Sequence, residues 1–203
     1  TISARVEGPD VASVEVVVDR GSGEERFPMG DDGTAGDAVA GDGAYVGIVS
    51  PSTNLALVKY RVEARSRDGC PTAFPREGNP SPWTGYLVLA SPPEESEDVR
   101  LFHIFTPGAL NDLSCDDNVY RKGQLVDFRG RAHFDVGVKF RGETACGYPK
   151  KPIRVEFQKG DLLDGQEHLN FNACWNDKAQ MREHVGFEFF RKAGVLTSEA
   201  HFA

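Results

Sequence analysis

Between Ala56 and Gly69 the chain reads ALVKYRVEARSRDG, with side-chain character alternating from one position to the next. Val58, Tyr60 and Val62 point one way and Leu57, Lys59 and Arg61 the other, a period of two that belongs to an extended strand. ASVEVVVD (12–19) repeats the pattern around Val14, Val16 and Val18, and AYVGIVSP (44–51) and WTGYLVLA (83–90) are further short runs. Turn-forming residues separate these runs, and no helical period interrupts them. Twenty-two glycines and twelve prolines among 203 residues supply the turns, so residues 1–90 are expected to form a β-sandwich.

The stretch SPPEESEDV (91–99) is acidic, holds two prolines and has no apolar residue before Val99, which marks 91–98 as a linker. A second region, 99–203, opens with VRLFHIF (99–105), expected as a buried strand in which His103 is a satisfied core histidine. TPGALNDLSCDDN follows as a loop or short helix, and its Asp116-Asp117 pair reads as a turn. Residues 119–142 read as successive strands turning at RGR, and HLNFNA as a further short strand after the Asp164-Gly165 turn. The last element is a helix. Asp177 is its expected N-cap, Met181, Val185 and Phe189 recur at helical spacing, Phe190 and Ala193 widen the stripe, and Gly194 stands at C′. Arg191 and Lys192 in the last turn suit the helix dipole.

A formal net charge of −8 argues against a general nucleic-acid binder, which needs a basic face. No apolar run approaches the roughly 20 residues that span a bilayer. The chain starts at Thr1 and stops at SEAHFA, so it is expected to be a piece of a longer protein. The four cysteines, Cys70, Cys115, Cys146 and Cys174, form no C-x-x-C pair and have no histidine at zinc-finger spacing. They can be two disulfides or free thiols. An even count points to an oxidising compartment, with Cys146–Cys174 the expected bridge.

Two segments bear on function. MGDDGTAGDAVAGDGAYVG (29–47) sets Asp31, Asp32, Asp37 and Asp42 among glycines. Oxygen ligands in such a loop can hold calcium, but the spacing is not an EF-hand's, and a turn built on Asp and Gly is the favoured reading. The second segment is the hairpin VKFRGETACGYPKKPIRVEF (138–157). Alternation puts Phe134, Val136, Val138 and Phe140 on one face and Asp135, Gly137, Lys139 and Arg141 on the other. In the returning strand Ile153, Val155 and Phe157 oppose Lys150, Pro152, Arg154 and Glu156. Paired, the strands gather Lys139, Arg141, Lys150 and Arg154 on one face, with Lys151 at the entrance. Such a face is either solvated and partly neutralised by Asp135 and Glu156, or built for an anion, most naturally phosphate. Ser114-Cys115 has no base placed beside it. Trp175 either packs at the helix entrance or stacks on a ligand base.

Both segments resemble known families. Asp32-Gly33-Thr34, Gly36-Asp37 and Ala40-Gly41-Asp42-Gly43 before Tyr45 resemble a signature of immunoglobulin-like domains in secreted bacterial proteins, implying an extracellular sandwich. Arg141-Gly142, Pro149-Lys150-Lys151, Leu169-Asn170-Phe171, Asp177 with Arg182-Glu183, and Ala193-Gly194-Val195 follow the order and spacing of the CotH kinase family, the spore coat protein H group, over about residues 100–203. Where that family has Asn-Ser-Ser after the Arg-Gly, this chain has Glu143-Thr144-Ala145, although Thr144 can replace one hydroxyl.

The resemblance implies a β-rich chain: an immunoglobulin-like β-sandwich followed by a partial kinase-like N-lobe, a twisted antiparallel sheet with one packed helix. It implies a secreted atypical protein kinase that uses ATP with magnesium or manganese to phosphorylate extracytoplasmic or coat proteins. Arg141, Lys150, Lys151 and Arg154 would face the phosphates. Glu183 is either the helix carboxylate that orients a strand lysine or an acid placed by the helix dipole. No catalytic aspartate is identified, and it is expected beyond residue 203, so the chain alone is expected to be inactive. The alternative is a non-catalytic extracellular adhesion or scaffold protein with a degenerate kinase-like domain. A calcium-stabilised carbohydrate-binding sandwich rests on the aspartate loop alone.

Overall fold

A computed structural model describes residues 1–8, 10–76, 78–79, 81–91, 99–106, 108, 113–115 and 118–203. The expected linker, apart from Ser91, lies outside the described residues, as do Asp116, Asp117 and much of the loop or short helix expected before them. The chain divides into two compact units, one of Thr1–Pro93 with Gly130–Ala132, the other of Glu94–Arg129 and His133–Ala203. The protein is β-rich: two curled antiparallel sheets and one α-helix.

In the first unit the strands are β1 (Ile2–Arg5), β2 (Val11–Asp19), β3 (Glu24–Gly30), β4 (Ala44–Gly47), β5 (Leu57–Ser66), β6 (Pro71–Phe74) and β7 (Thr84–Leu87). They form one hydrogen-bonded path, β1-β4-β3-β2-β5-β6, with β7 also on β5. The start of β5 pairs with β7 and its end with β6, so one long strand serves two neighbours along the same edge. Val14, Val16, Val18, Met29, Val58 and Val62 come together on one face as the core.

The opposite face carries a charge lattice. Arg26 and Arg61 flank Val17 on the neighbouring strands. Arg26 donates to Glu15 (3.1 Å) and Glu63 (2.9 Å), while Arg61 donates to Glu63 (2.7 Å) and to both oxygens of Glu24 (2.8 and 2.9 Å). Val17 is fully buried although it lies opposite the core. Its cross-strand neighbours are both arginines whose heads are bonded to carboxylates, an arrangement in which aliphatic stems commonly cover apolar surface.

The aspartate loop uses its carboxylates on its own backbone. Asp31 accepts the amides of Gly41 (2.7 Å), Asp42 (3.2 Å) and Gly43 (3.0 Å). Asp37, which is buried, accepts those of Gly33 (2.7 Å) and Val39 (3.3 Å). These bonds are the local closures that make Asp and Gly turn residues.

The second unit is a five-strand antiparallel meander whose spatial order follows the sequence: β8 (His103–Phe105), β9 (Arg121–Val126), β10 (Ala132–Phe140), β11 (Ile153–Glu156) and β12 (His168–Phe171). Leu125, Val136, Val138, Val155 and Phe157 form its core. His103 is only half-buried, and the fully buried histidine is His133. Its Nε2 stands 3.5 Å from Asp127 Oδ2 and its Nδ1 3.3 Å from Asp161 Oδ2, both carboxylates being buried. A polar anchor of this kind is viable in a core only because its members satisfy one another.

The helix α1 spans Arg182–Lys192. Asp177 caps it from five residues away, accepting the Arg182 amide at 2.7 Å, while Met181 occupies the N-cap position without a side-chain bond. At the other end Gly194 adopts φ 77°, and Val195 donates to Phe190 (3.0 Å) while Gly194 donates to Arg191 (3.0 Å), the paired closure of a Schellman turn. The apolar stripe of α1 faces outward: Met181 is 48%, Val185 53% and Phe189 68% exposed.

Candidate anion-binding site

The hairpin of β10 and β11 pairs in the register Gly137↔Glu156, Val138↔Val155, Lys139↔Arg154 and Phe140↔Ile153. Lys139 and Arg154 therefore stand directly opposite each other, and Arg154 has Asn170 of β12 on its other side. The Arg141 amide continues the ladder to Pro152 O at 3.0 Å. Gly142 then turns the chain with φ 82°, a conformation costly for a residue with a side chain, into a single 3₁₀ turn, Thr144–Gly147. Lys150 and Lys151 follow before β11.

Among the described residues none of these five cations forms an ion pair. Lys139 donates to Asn118 Oδ1 at 2.6 Å and lies 4.4 Å from the centre of the Tyr120 ring. The Tyr120 ring is placed there by Gly137, where an added methyl would come within 3.0 Å of it. Lys151 turns back to the carbonyl of Tyr148 (3.1 Å), and Arg154 Nε is buried without a partner. Asp135 pairs instead with Lys122 (3.7 Å), and Glu156 lies 3.9 Å from His168, so neither acid neutralises the cation row through an ion pair.

Glu183 stands apart from both lysines. Arg141 donates to Asn172 Oδ1 (2.9 Å), and Asn172 Nδ2 donates to Glu183 Oε1 (2.5 Å). The other oxygen, Oε2, faces the Cys174 thiol at 3.9 Å. The direct lysine–glutamate contact implied by the kinase resemblance is thus replaced by an arginine–amide–carboxylate chain. Burial pushes the Cys174 thiol pKa up, the negative charges of Glu183 and Asp177 push it further, and Lys150 opposes them, so Cys174 is a neutral thiol at pH 7.

The expected Cys146–Cys174 bridge is not formed. Cys115 and Cys146 are bonded, with Cα atoms 6.0 Å apart, and Cys70 and Cys174 are free. Cys174 instead lines an open cleft of about 320 Å³ with Tyr148, Pro152, Asn172, Trp175 and Arg182. Trp175 is 50% exposed there, and Asn176 Nδ2 donates to the Tyr148 hydroxyl at 2.6 Å. Sequence reasoning missed Asn172 and His133. The one follows directly after the Leu-Asn-Phe motif, and the other lies on the polar parity of β10, so neither stands out by pattern.

Comparison with known proteins bears on this hairpin directly. The family model described as CotH kinase protein matches residues 138–203, from the middle of β10 through α1 and beyond. This segment is CotH-like. The matched range is narrower than the residues 100–203 over which the motifs suggested resemblance, and it includes all five cations. The inner spore coat protein H of Bacillus subtilis (strain 168) is 28% identical over 69 residues, covering 34% of this chain and 19% of that protein. The chain thus spans about a fifth of the length of that curated relative. No solved structure matches. The CotH-like segment therefore holds the whole cation cluster together with Asn172, Cys174 and Glu183.

Proposed function

We propose that the second unit is the phosphate-facing part of a CotH-like atypical protein kinase, binding ATP and, in the full-length protein, phosphorylating coat or extracytoplasmic proteins. The first unit serves in this reading as an immunoglobulin-like extracellular module. The observation that carries it is the set of five cations, Lys139, Arg141, Lys150, Lys151 and Arg154, that have no acid partner among the described residues and lie within a CotH-like segment. Unpaired like charges on neighbouring strands are unfavourable, and an anion bound across them reverses the sign of that interaction. The name of the Bacillus relative supports a coat or envelope location. No helix among the described residues is long and apolar enough to cross a membrane.

These residues fit the phosphates of a nucleotide. They do not supply a site for its magnesium or manganese: among the described residues the one close carboxylate cluster is Asp31, Asp37 and Asp42, in the other unit. We assign no residue of this chain to that metal. The chain's own part is to hold the phosphates, with Lys150 and Lys151 as point charges and Arg141 and Arg154 as planar donors.

The test is calorimetric titration of MgATP into the wild type and into Lys150→Ala/Lys151→Ala. Binding by the wild type that weakens at least about tenfold in the variant supports the reading. A folded wild type that binds no ATP overturns it. One observation favours the scaffold alternative, namely that Glu183 is engaged by Asn172 and Cys174 and contacts no lysine. Under that alternative the cations are a solvated face, and MgATP leaves the melting curve unmoved.

A further inference from the structure

We propose that Asn172 is a positioning residue of this anion site: it insulates Arg141 from Glu183 and so keeps the guanidinium charge available to a phosphate. The inference rests on the anion-site reading and adds to it the means by which a carboxylate sits close to the cations without quenching them.

Arg141 and Glu183 come from the end of β10 and the first turn of α1, and the same side chain bonds both. A guanidinium only donates and a carboxylate only accepts. The Asn172 amide therefore has one allowed orientation, with Oδ1 toward Arg141 at 2.9 Å and Nδ2 toward Glu183 at 2.5 Å. Rotating it by half a turn would set donor against donor and acceptor against acceptor. Held this way, the amide spans the gap that a direct, bidentate arginine–glutamate pair would otherwise close. Such a pair would remove two charges from the site at once. Cys174, on the second oxygen of Glu183, closes the remaining side. Both oxygens of Glu183 thus have neutral partners, and Arg141 uses one of its five N–H groups on a neutral amide.

An aspartate at this position has nearly the shape of the asparagine and the opposite effect. It pairs with Arg141, repels Glu183, and adds an anion where phosphate is to bind. An alanine breaks the chain without adding charge and lets Arg141 and Glu183 meet.

The experiment measures the affinity of tripolyphosphate and of MgATP for the wild type, Asn172→Ala, Asn172→Asp, Arg141→Ala, and Asn172→Ala combined with Arg141→Ala. Circular dichroism confirms that each is folded. The expected result is a loss of about tenfold for Asn172→Ala and more for Asn172→Asp. The loss on Asn172→Ala is expected to vanish once Arg141 is already alanine, because Asn172 acts through it. Adding Glu183→Gln to Asn172→Ala is expected to restore affinity, which a purely structural role would not produce. Additive losses in the double variant, with Glu183→Gln giving no rescue, overturn the role of Asn172 and leave the anion site standing. A folded wild type that binds neither ligand overturns the anion site and this inference with it.

Discussion

The polar faces of the two sheets treat cations in opposite ways. In the first unit Arg26 and Arg61 are surrounded by Glu15, Glu24 and Glu63, each arginine bonded to two acids. In the second, Lys139 stands opposite Arg154 with Arg141 beyond, and none of them reaches a carboxylate among the described residues. The first arrangement satisfies itself and is complete as it stands. The second concentrates unspent positive charge on a chain whose formal net charge is −8. The proposed anion site therefore falls on the hairpin and not on the lattice face, whose arginines are already bonded to acids.

The two tryptophans make the contrast measurable, since Trp83 lies in the first unit, 4.4 Å from the Arg61 guanidinium, and Trp175 in the second. Single-tryptophan variants report the melting of each unit separately. The largest effect is expected from reduction of Cys115–Cys146, which closes a loop of 31 residues and contributes about 3–4 kcal/mol. Reductant should lower the Trp175 transition and leave the Trp83 transition in place. Equal shifts at both probes would mean that the units do not melt independently.

Next in size is Arg61→Ala, which removes three charge-assisted bonds and the long side chain opposite Val17. With partial exposure discounted, it is expected to cost about 2 kcal/mol at the Trp83 probe in denaturant titration. A smaller effect of opposite sign is expected in the second unit from Asn170→Asp, which places an acid beside Arg154. It should stabilise the Trp175 transition by about 0.5 kcal/mol while weakening tripolyphosphate binding. Weaker binding without the stabilisation would mean that Arg154 is not strained by its cationic neighbour.

The smallest effect is on pH. Arg61 holds the Glu24 pKa below its ordinary value, and for Glu63 burial pulls upward but the bonds from Arg26 and Arg61 prevail, so its pKa is lowered too. A folded-state pKa below the unfolded one contributes stability that is present above the unfolded value, about 4.3, and lost as pH falls through the folded value. The Trp83 melting temperature should decline as pH is taken from about 5 toward 3. A flat profile there would remove the lattice as a source of stability.

Much of the fold could be read from alternation, because β2, β5 and β10 are long enough for their period to emerge above noise. β3 escaped notice because EERFPMG places charges and a proline where alternation would be sought. In the structure its arginine pairs across the sheet, so the charges are the reason for the strand's place and not a sign of a loop. The helix and its glycine stop were legible from local spacing, whereas the outward orientation of its apolar stripe depends on what surrounds it. The hairpin's cations could be assigned to one face by parity. The partners that matter came from distant segments: Asn118 for Lys139, Asn172 for Arg141, and Cys115 for Cys146. His133 was hidden by the same parity rule, since Asp135, with φ 53°, breaks the regular strand just beyond it.

Gly137 has a consequence out of proportion to its size. It lies beneath the Tyr120 ring, and that ring lies beneath the Lys139 ammonium. A single methyl at Gly137 lifts the ring, and the ring displaces the charge. The position of the Lys139 ammonium therefore depends on the thinness of the backbone two residues before it. A neutral replacement, far smaller than any charge reversal and touching no ligand atom, tunes the site as a shim tunes a bearing.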